Sequence, residues 1–256
     1  DLLMMCFPHI THICITHVLD NFTDADLADS GQAWAHTFPG EEEQEEYLEA
    51  VRSDPISRGH DIVRAIHASG LCQDEFLDTF KTGNLKNWFR SHAGEAMQVP
   101  ELELLWDVKT CWDSSCIMIN HLHTLQPALN YFLALPNQKE LEGYALSPLQ
   151  WLVLEDFKHI LQVSPAVISQ SNVANRRAQQ VPLRVQQRMS SESLPCLGSA
   201  VPCFELLMSA WETLGETDAC LRPWTDVGLK WAVEYYQQMD NTRAYVILMC
   251  KPFIPS

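Results

Sequence analysis

Two thiols and two imidazoles near the start of the chain are spaced like metal ligands. Cys6 and His9 are separated by two residues, and Cys14 and His17 repeat that spacing. Thiolate and imidazole are good zinc ligands, so these four side chains could surround one ion. The same residues alternate with isoleucine and valine, which also fits a buried segment where cysteine is a small apolar side chain. The buried segment is favoured, because the usual zinc modules have a longer loop between their ligand pairs.

Carboxylates that could hold a pair of metal ions occur in two places. Asp107 and Asp113 lie six residues apart, and Glu155 and Asp156 are adjacent. Neighbouring residues on a helix point about 100° apart, so the second pair cannot easily face one metal pair. Helix caps and solvated helix faces are therefore the favoured roles for these acids.

The acidity of the chain argues against general binding to nucleic acid. The 256 residues include 33 acidic and 17 basic side chains, and the net charge of -16 repels a phosphate backbone. The only local positive patch predicted is an acid-free stretch with Arg176, Arg177, Arg184 and Arg188. It has no interleaved aromatic residues for base stacking, so a solvated loop is the favoured interpretation.

Several classes of protein are excluded by missing motifs and by composition. No GxGxxG, GxxxxGKS or GxSxG pattern is present, so neither a nucleotide loop nor an acyl-transfer nucleophile is expected. The longest apolar runs are far shorter than the ~18 to 20 residues that span a bilayer. Nine scattered cysteines and a start without a signal peptide indicate an intracellular protein with reduced thiols. The missing initiator methionine suggests a fragment.

Helical spacing of apolar residues dominates the chain, so the predicted fold is mainly α with a small β content. An acidic stretch at 20–54 is predicted to be a solvated loop that runs into the first helix. Helices are predicted at 42–52, on both sides of Gly70, at 117–133, from Pro148 to 161, at 202–214 and at 226–239. Strands are predicted at 2–7, 102–108 and 245–249, and a long loop at 163–200.

Local signals predict how two of these helices begin. Ser147 can cap its helix, with a proline at the first helical position and Gln150 where a capping box requires it. For the helix at 117–133, Asp113 or Ser114 is the predicted N-cap. Pro127 is expected to kink or split that helix, because proline lacks the N–H that the helix needs.

The stretch Leu104–Ile119, LLWDVKTCWDSSCIMI, resembles a motif of hAT-type DNA transposases. In that family the pattern is Asp-Val-x-Thr-Arg-Trp-(Asn or Asp)-Ser-Thr, followed shortly by Met-Leu and a helix. The first residues of the chain, Cys6-Phe7-Pro8-His9, resemble the Cys-x-x-His of the family. Ile66-His67-Ala68-Ser69 resembles its Ile-Arg-x-Ser, with His67 in place of arginine. The residues that carry these motifs are Cys6, His9, Asp107, Lys109, Thr110, Trp112 and Ser114.

Further similar stretches occur in the family's order at 151–157, 190–195 and 228–236, with Trp231 at a lysine position. The resemblance thus covers most of the chain. It implies an RNase H-like core interrupted by an all-helical insertion, with residues 1–116 as a core remnant and residues 117–256 as the insertion. The family acts in the nucleus, where three carboxylates and magnesium ions cut and join DNA.

The resemblance also implies that these residues lack catalysis. The family's first two catalytic aspartates precede the Cys-x-x-His motif and its glutamate follows the insertion, so the matching positions fall outside residues 1–256. Without those acids no site remains for two magnesium ions. Cys111 stands where the family has arginine, which removes a guanidinium that could hold phosphate. We therefore expect a catalytically inactive transposase fragment without a cofactor.

One stretch looks foreign to the protein. Deleting residues 163–180 would join Gln162 to Val181 and restore a continuous helix of the family type. Val163-Ser164, Ala174-Asn175 and the final Gln180 can be encoded by a splice donor, a branch site and an acceptor. The hypothesis is a translated intron.

Two other functions remain open at this stage. The chain could be an acidic helical module that binds proteins, or itself, through apolar surface. It could also be a small zinc-binding protein that uses the four ligands near its start. DNA is a weak expected partner of the transposase remnant, and neither a membrane nor a small-molecule substrate is expected.

Overall fold

Helices account for nearly all regular structure in the computed structural model, which describes residues 7–23, 38, 40–90, 94–105, 112–161, 197–218 and 220–240. This confirms the mainly α prediction. The helices are α1 (Phe7–Asp20), α2 (Glu41–Arg52), α3 (Pro55–His67), α4 (Gly70–Leu85), α5 (Trp112–Leu133), α6 (Pro148–Leu161), α7 (Leu197–Thr217) and α8 (Arg222–Asp240). A short 3-10 helix, Glu142–Tyr144, lies between α5 and α6.

Local capping explains where two helices begin. The Ser147 N–H donates to Gln150 Oε1 at 2.9 Å, and the Gln150 N–H donates to Ser147 Oγ at 3.2 Å. This is the predicted capping box, which satisfies two backbone donors at the start of α6. At the start of α3, Asp54 accepts a hydrogen bond from the Ser57 N–H at 3.0 Å, and Pro55 occupies the first turn.

The chain divides into two compact units. The terminal unit contains residues 1–44 and 159–256, and the central unit contains residues 45–158. These divisions fall within α2 and α6. The boundary predicted between residues 116 and 117, which separates a core remnant from a helical insertion, stays a prediction; the two residues lie inside α5, which is one continuous helix. Buried apolar side chains continue along this helix from Cys116 to Leu133.

In the terminal unit, α8 packs against both α1 and α7 around two buried tryptophans. Trp224 stacks on Phe22 and donates from Nε1 to the Phe22 carbonyl at 3.1 Å. Trp211 donates to the Ile160 carbonyl at 3.1 Å. Gly228 lets Trp211 approach α8, because a Cβ at that position would lie 2.7 Å from the Trp211 ring. Both indoles are therefore buried with their polar N–H groups satisfied.

The core of the central unit forms where α3, α4 and α5 pack together. Phe76 of α4 meets Phe132 of α5 edge-on, with ring centroids 5.3 Å apart. Gly59 of α3 allows Leu122 of α5 to approach closely, since a Cβ at Gly59 would lie 2.9 Å from it. The helical spacing of apolar residues on both sides of Gly70 correctly predicts which faces of α3 and α4 are buried.

The predicted strand at 102–108 is wrong over its described part. Residues 101–105 are not in a strand, and the remaining residues of that prediction lie outside the described part of the chain. The carbonyls of this segment are instead bonded by side chains from helices, which the alternation of apolar residues does not predict. Of the strand predicted at 2–7, only Phe7 is described, and it begins α1. The strand at 245–249 lies outside the described residues.

Several features of the helices differ from those predicted. Helix α5 begins at Trp112, so Asp113 and Ser114 lie in its first turn rather than at the cap. Pro127 does not split the helix, because the buried side chains of Leu125 and Leu129 hold the turns around it by packing. Helix α7 begins at Leu197, inside the predicted loop. The arginine cluster and the proposed intron stretch lie outside the described residues.

Candidate functional site

The segment that leads into the hAT-like motif is held by two imidazole rings. His67 Nε2 donates to the Leu104 carbonyl at 2.7 Å, and His121 Nδ1 donates to the Glu103 carbonyl at 2.7 Å. These assignments follow because a carbonyl oxygen can only accept a hydrogen bond. Side chains of α3 and α5 thereby hold the segment 101–105 by its carbonyls.

His67 is itself oriented by a third side chain. The Gln73 side-chain amide donates to His67 Nδ1, which sets the Nε2–H tautomer. His67 is the last residue of α3, and Gln73 lies in the first turn of α4. The short connection through Ser69 therefore brings the two side chains together, and buried Ile66 anchors the end of α3.

A cleft of about 130 Å³ lies beside these hydrogen bonds. It is smaller than the pockets of roughly 300–1,000 Å³ that take cofactors and drug-sized ligands. Its lining joins apolar walls to a few polar groups and consists of Ile66, His67, Gln73, Phe76, Leu77, Glu103 and Leu104. The arrangement suits an inserted side chain or a fragment of a few heavy atoms rather than a metabolite.

The structure describes little of the family motif itself. Asp107, Lys109 and Thr110 lie outside the described residues, as does Cys6 of the first motif. The backbone of Trp112 and that of Ser114 lie in the first turn of α5. The hydrogen bonds beside the cleft therefore hold the backbone at Glu103 and Leu104, where the motif-like stretch begins.

The predicted zinc ligands do not converge among the residues that the structure describes. His9 is exposed, Cys14 is fully buried, and the His17 ring stacks on Trp231 with centroids 3.7 Å apart. His9 and Cys14 lie five positions apart on α1, so they point about 140° apart. Within the described ranges no group of three or more candidate ligands could hold a metal ion.

The thiol of Cys14 is poorly suited to ligation for a further reason. Burial raises its pKa to about 12, so the metal-binding thiolate is disfavoured at neutral pH. Burial also affects the neighbouring His12, whose pKa it lowers because the charged form of an imidazole is the protonated one. Nearby His9 lowers this pKa by a smaller amount. With Cys6 outside the described residues, the four-ligand site stays a prediction.

The adjacent acids of α6 have separate environments. Asp156 accepts a hydrogen bond from the hydroxyl of buried Tyr47 at 2.6 Å, whereas Glu155 is exposed. The Asp156 carboxylate thus orients a core tyrosine, whereas the sequence favoured a helix cap or a solvated face for this residue. The geometry of this pair offers no shared metal position.

Sequence reasoning missed two of the residues that build the site. Gln73 and His121 belong to no motif, and both act through partners that are distant in sequence or in another helix. His67 was noticed only as a substitution of arginine in a family pattern. Its position at the end of α3, followed by a helix start at Gly70, is the one sequence signal that could have marked it.

Comparisons with known proteins leave the site to be interpreted from its own geometry. Among the described residues, no helix combines the length and the apolar character needed to cross a membrane. No protein-family model matches the sequence, and no curated protein or solved structure matches it either.

Proposed function

We propose that this chain derives from a hAT-type DNA transposase and acts as a helical binding scaffold without transposase catalysis. The observation that carries the proposal is a contact between two stretches that resemble family motifs. His67, in the stretch Ile66–Ser69, donates to the carbonyl of Leu104, the first residue of the longer motif. The two stretches are 37 residues apart in sequence at this contact, so it is made only by the fold.

The replacement of arginine by histidine at residue 67 fits a structural role for this position. An arginine there would present a permanent charge and five donors, whereas the His67 ring has one donor and one acceptor, and both are used. The position therefore holds a backbone segment in place. The resemblance assigns the family's catalytic acids to positions beyond residues 1–256, and Cys111 replaces a second arginine.

The genomic flanks test the origin. The proposal expects an upstream frame that encodes two aspartates and a downstream frame that encodes the glutamate in family context. The same sequence should contain a splice donor, branch site and acceptor around codons 163–180. Flanks without similarity to the family would contradict the proposed origin, and an intron without splice sites would contradict only the intron.

Binding to duplex DNA tests the present role. A transposase remnant should bind a labelled 30-base-pair duplex weakly, with an affinity that falls steeply as salt rises. Incubation with Mg²⁺ should leave a supercoiled plasmid uncut. No binding even at 20 mM salt would contradict the remnant, and metal-dependent cutting would contradict the absence of catalysis.

One observation favours the acidic interaction module as a second candidate. Helix α2 begins with exposed acids at its first three positions, and further exposed acids follow, the set being Glu41, Glu42, Glu43, Glu45, Glu46 and Glu49. Such a surface attracts a basic partner. A lysine-rich peptide that binds more tightly than duplex DNA of equal length would support this function over the first.

A further inference from the structure

One stretch of the central unit differs in charge from the rest of this acidic protein. Residues 79–94 contain Lys81, Lys86 and Arg90 but no aspartate or glutamate. The stretch is bounded by Asp78 and Glu95, so its positive charge is local. The arginine cluster in the predicted loop is therefore not the only basic patch, and this one includes aromatic residues.

Two exposed aromatic rings stack on each other, with Lys86 beside one of them. Trp88 and Tyr131 lie with ring centroids 4.9 Å apart and ring planes 23° apart. Trp88 is 37% exposed and Tyr131 is 38% exposed, although both are large apolar side chains. The ammonium of Lys86 lies 5.3 Å from the centroid of the Trp88 ring. We call the Trp88–Tyr131 pair the aromatic platform.

The platform is built on a fixed base. Phe89 is buried beneath it and meets Tyr131 edge-on, with centroids 6.4 Å apart. Gly83 makes room for Phe89, because a Cβ at Gly83 would lie 2.4 Å from the Phe89 ring. The Trp88 N–H donates to the Gly83 carbonyl at 2.9 Å, which ties the platform to the end of α4.

The loop behind the platform is held by amide side chains. Asn84 donates to the Val99 carbonyl at 2.7 Å and accepts from the Val99 N–H at 2.8 Å. Gln98 donates to Asn84 O and to Asn87 Oδ1, each at 3.1 Å. Asn87 has a positive φ of 55°, a conformation that asparagine tolerates well. The exposed rings are therefore presented in one arrangement rather than on a loose loop.

We propose that the aromatic platform binds an unpaired nucleobase of a single-stranded nucleic acid. An exposed, pre-positioned aromatic ring stacks bases of any sequence, and adjacent cations hold the phosphates on either side. When a base stacks on the Trp88 face, the Lys86 ammonium can move off that face and pair with a phosphate. Its positive charge is then still compensated. Exposed Arg90, two residues after Trp88 in the chain, donates to the Gly94 carbonyl at 3.5 Å and is proposed as a second cation.

This proposal does not depend on the transposase resemblance, since it uses only the geometry of residues 79–131. Charge complementarity selects the ligand: Lys86 lies against the platform within a stretch of sequence that has no acids, whereas the chain as a whole carries -16 and repels anions. Binding is therefore expected to be local, of modest affinity and strongly dependent on salt.

The test is fluorescence anisotropy of the full chain with labelled dT15, rU15 and a duplex of the same length at 20 and 150 mM salt. Both single strands should bind more tightly than the duplex, because paired bases cannot reach the rings. A preference for dT15 over rU15, or the reverse, identifies the source of the strand. Trp88→Ala should weaken single-strand binding about tenfold and leave duplex binding unchanged. Lys86→Gln should lower the salt dependence by about one unit of slope.

Tyr144→Ala provides the control, because Tyr144 is an aromatic residue of similar exposure, 36%, that belongs to the 3-10 helix and not to the aromatic platform. It should leave binding unchanged, and circular dichroism should show that both aromatic variants are folded. Equal affinity for single strand and duplex, or an unaltered Trp88→Ala variant, would overturn the platform. So would tighter binding of an acidic peptide than of dT15. Binding to the duplex tests the proposed transposase origin, and the preference for single strands tests the aromatic platform. The two proposals can therefore fail separately.

Discussion

Buried tryptophans and an exposed tryptophan have opposite environments in this protein. In the terminal unit, Trp211 and Trp224 are fully buried and each indole N–H reaches a backbone carbonyl. In the central unit, Trp88 is 37% exposed, its ring stacks on the exposed Tyr131 ring, and the Lys86 ammonium lies 5.3 Å from its centroid. A buried, satisfied indole is explained by packing alone. An exposed indole on a fixed base is not, and it directs attention to binding.

The largest effect is expected when one tryptophan in each unit is replaced by alanine. Trp211→Ala should lower the free energy of unfolding by about 3–5 kcal/mol, because it leaves a large cavity and an unpaired carbonyl. Trp88→Ala should lower it by less than about 1 kcal/mol, since the ring is already partly in water. Urea denaturation followed by circular dichroism measures both. Equal losses would mean that Trp88 is also a core residue.

Gly83→Ala tests whether the buried Phe89 ring, which supports the aromatic platform, is tightly packed. The new methyl group would meet the buried Phe89 ring, so we expect a loss of about 1–3 kcal/mol and weaker single-strand binding. Gly143→Ala is the control, because nothing lies within 4 Å of a Cβ at that position. Thermal unfolding of the two variants measures the difference. A Gly83→Ala protein as stable as the control would show that the base yields easily.

His67→Ala tests the hydrogen bonds that hold the segment 101–105. Removal of the ring leaves the Leu104 carbonyl and the Gln73 amide without this partner, which should lower stability by about 1–2 kcal/mol. Single-strand binding should persist, because His67 is not part of the platform. If binding is lost instead, the cleft and the platform act as one site. Urea denaturation and anisotropy on the same sample decide between these outcomes.

The smallest expected effect concerns the buried thiol of the terminal unit. The folded-state pKa of Cys14 is raised to about 12 by burial from an ordinary value of 9.0, so the folded protein keeps its proton longer than the unfolded chain. Stability from this group is complete below pH 9 and is lost progressively between pH 9 and 12.

Cys14→Ala should therefore flatten the alkaline fall in stability, by roughly 1 kcal/mol at pH 10. Cys72→Ala is the control from the central unit, since Cys72 is only half-buried; its pKa is raised first by burial and then by Glu75. Urea denaturation at pH 7 and pH 10 measures the change. An unchanged pH profile for Cys14→Ala would mean that the thiol ionises without opening the fold.

Local sequence predicted much of the helical structure correctly. The capping box of Ser147 and Gln150 involves residues three positions apart, so the sequence contains the whole interaction. The helices on either side of Gly70 follow from apolar residues one turn apart. The resemblance to transposases pointed to His67, but not to what its ring does.

Long-range contacts explain the failures. The segment 101–105 has the residue types of a strand, yet its carbonyls are taken by imidazoles 37 and 18 residues away. Pro127 would break an isolated helix, but packing around it keeps α5 continuous. The spacing of Cys14 and His17 suited metal ligation until burial and a stack on Trp231 engaged both side chains.

The sequence by itself determined the helical class, the acidity and the start of α6, because these depend on neighbours within about one turn and on composition. Only the tertiary structure decided which side chains became a site. Trp88 acquires a role through Tyr131, which is supplied by a different helix, and through Gly83, whose missing side chain admits Phe89. Such partnerships depend on the distance between side chains in space, and spacing along the chain does not encode that distance.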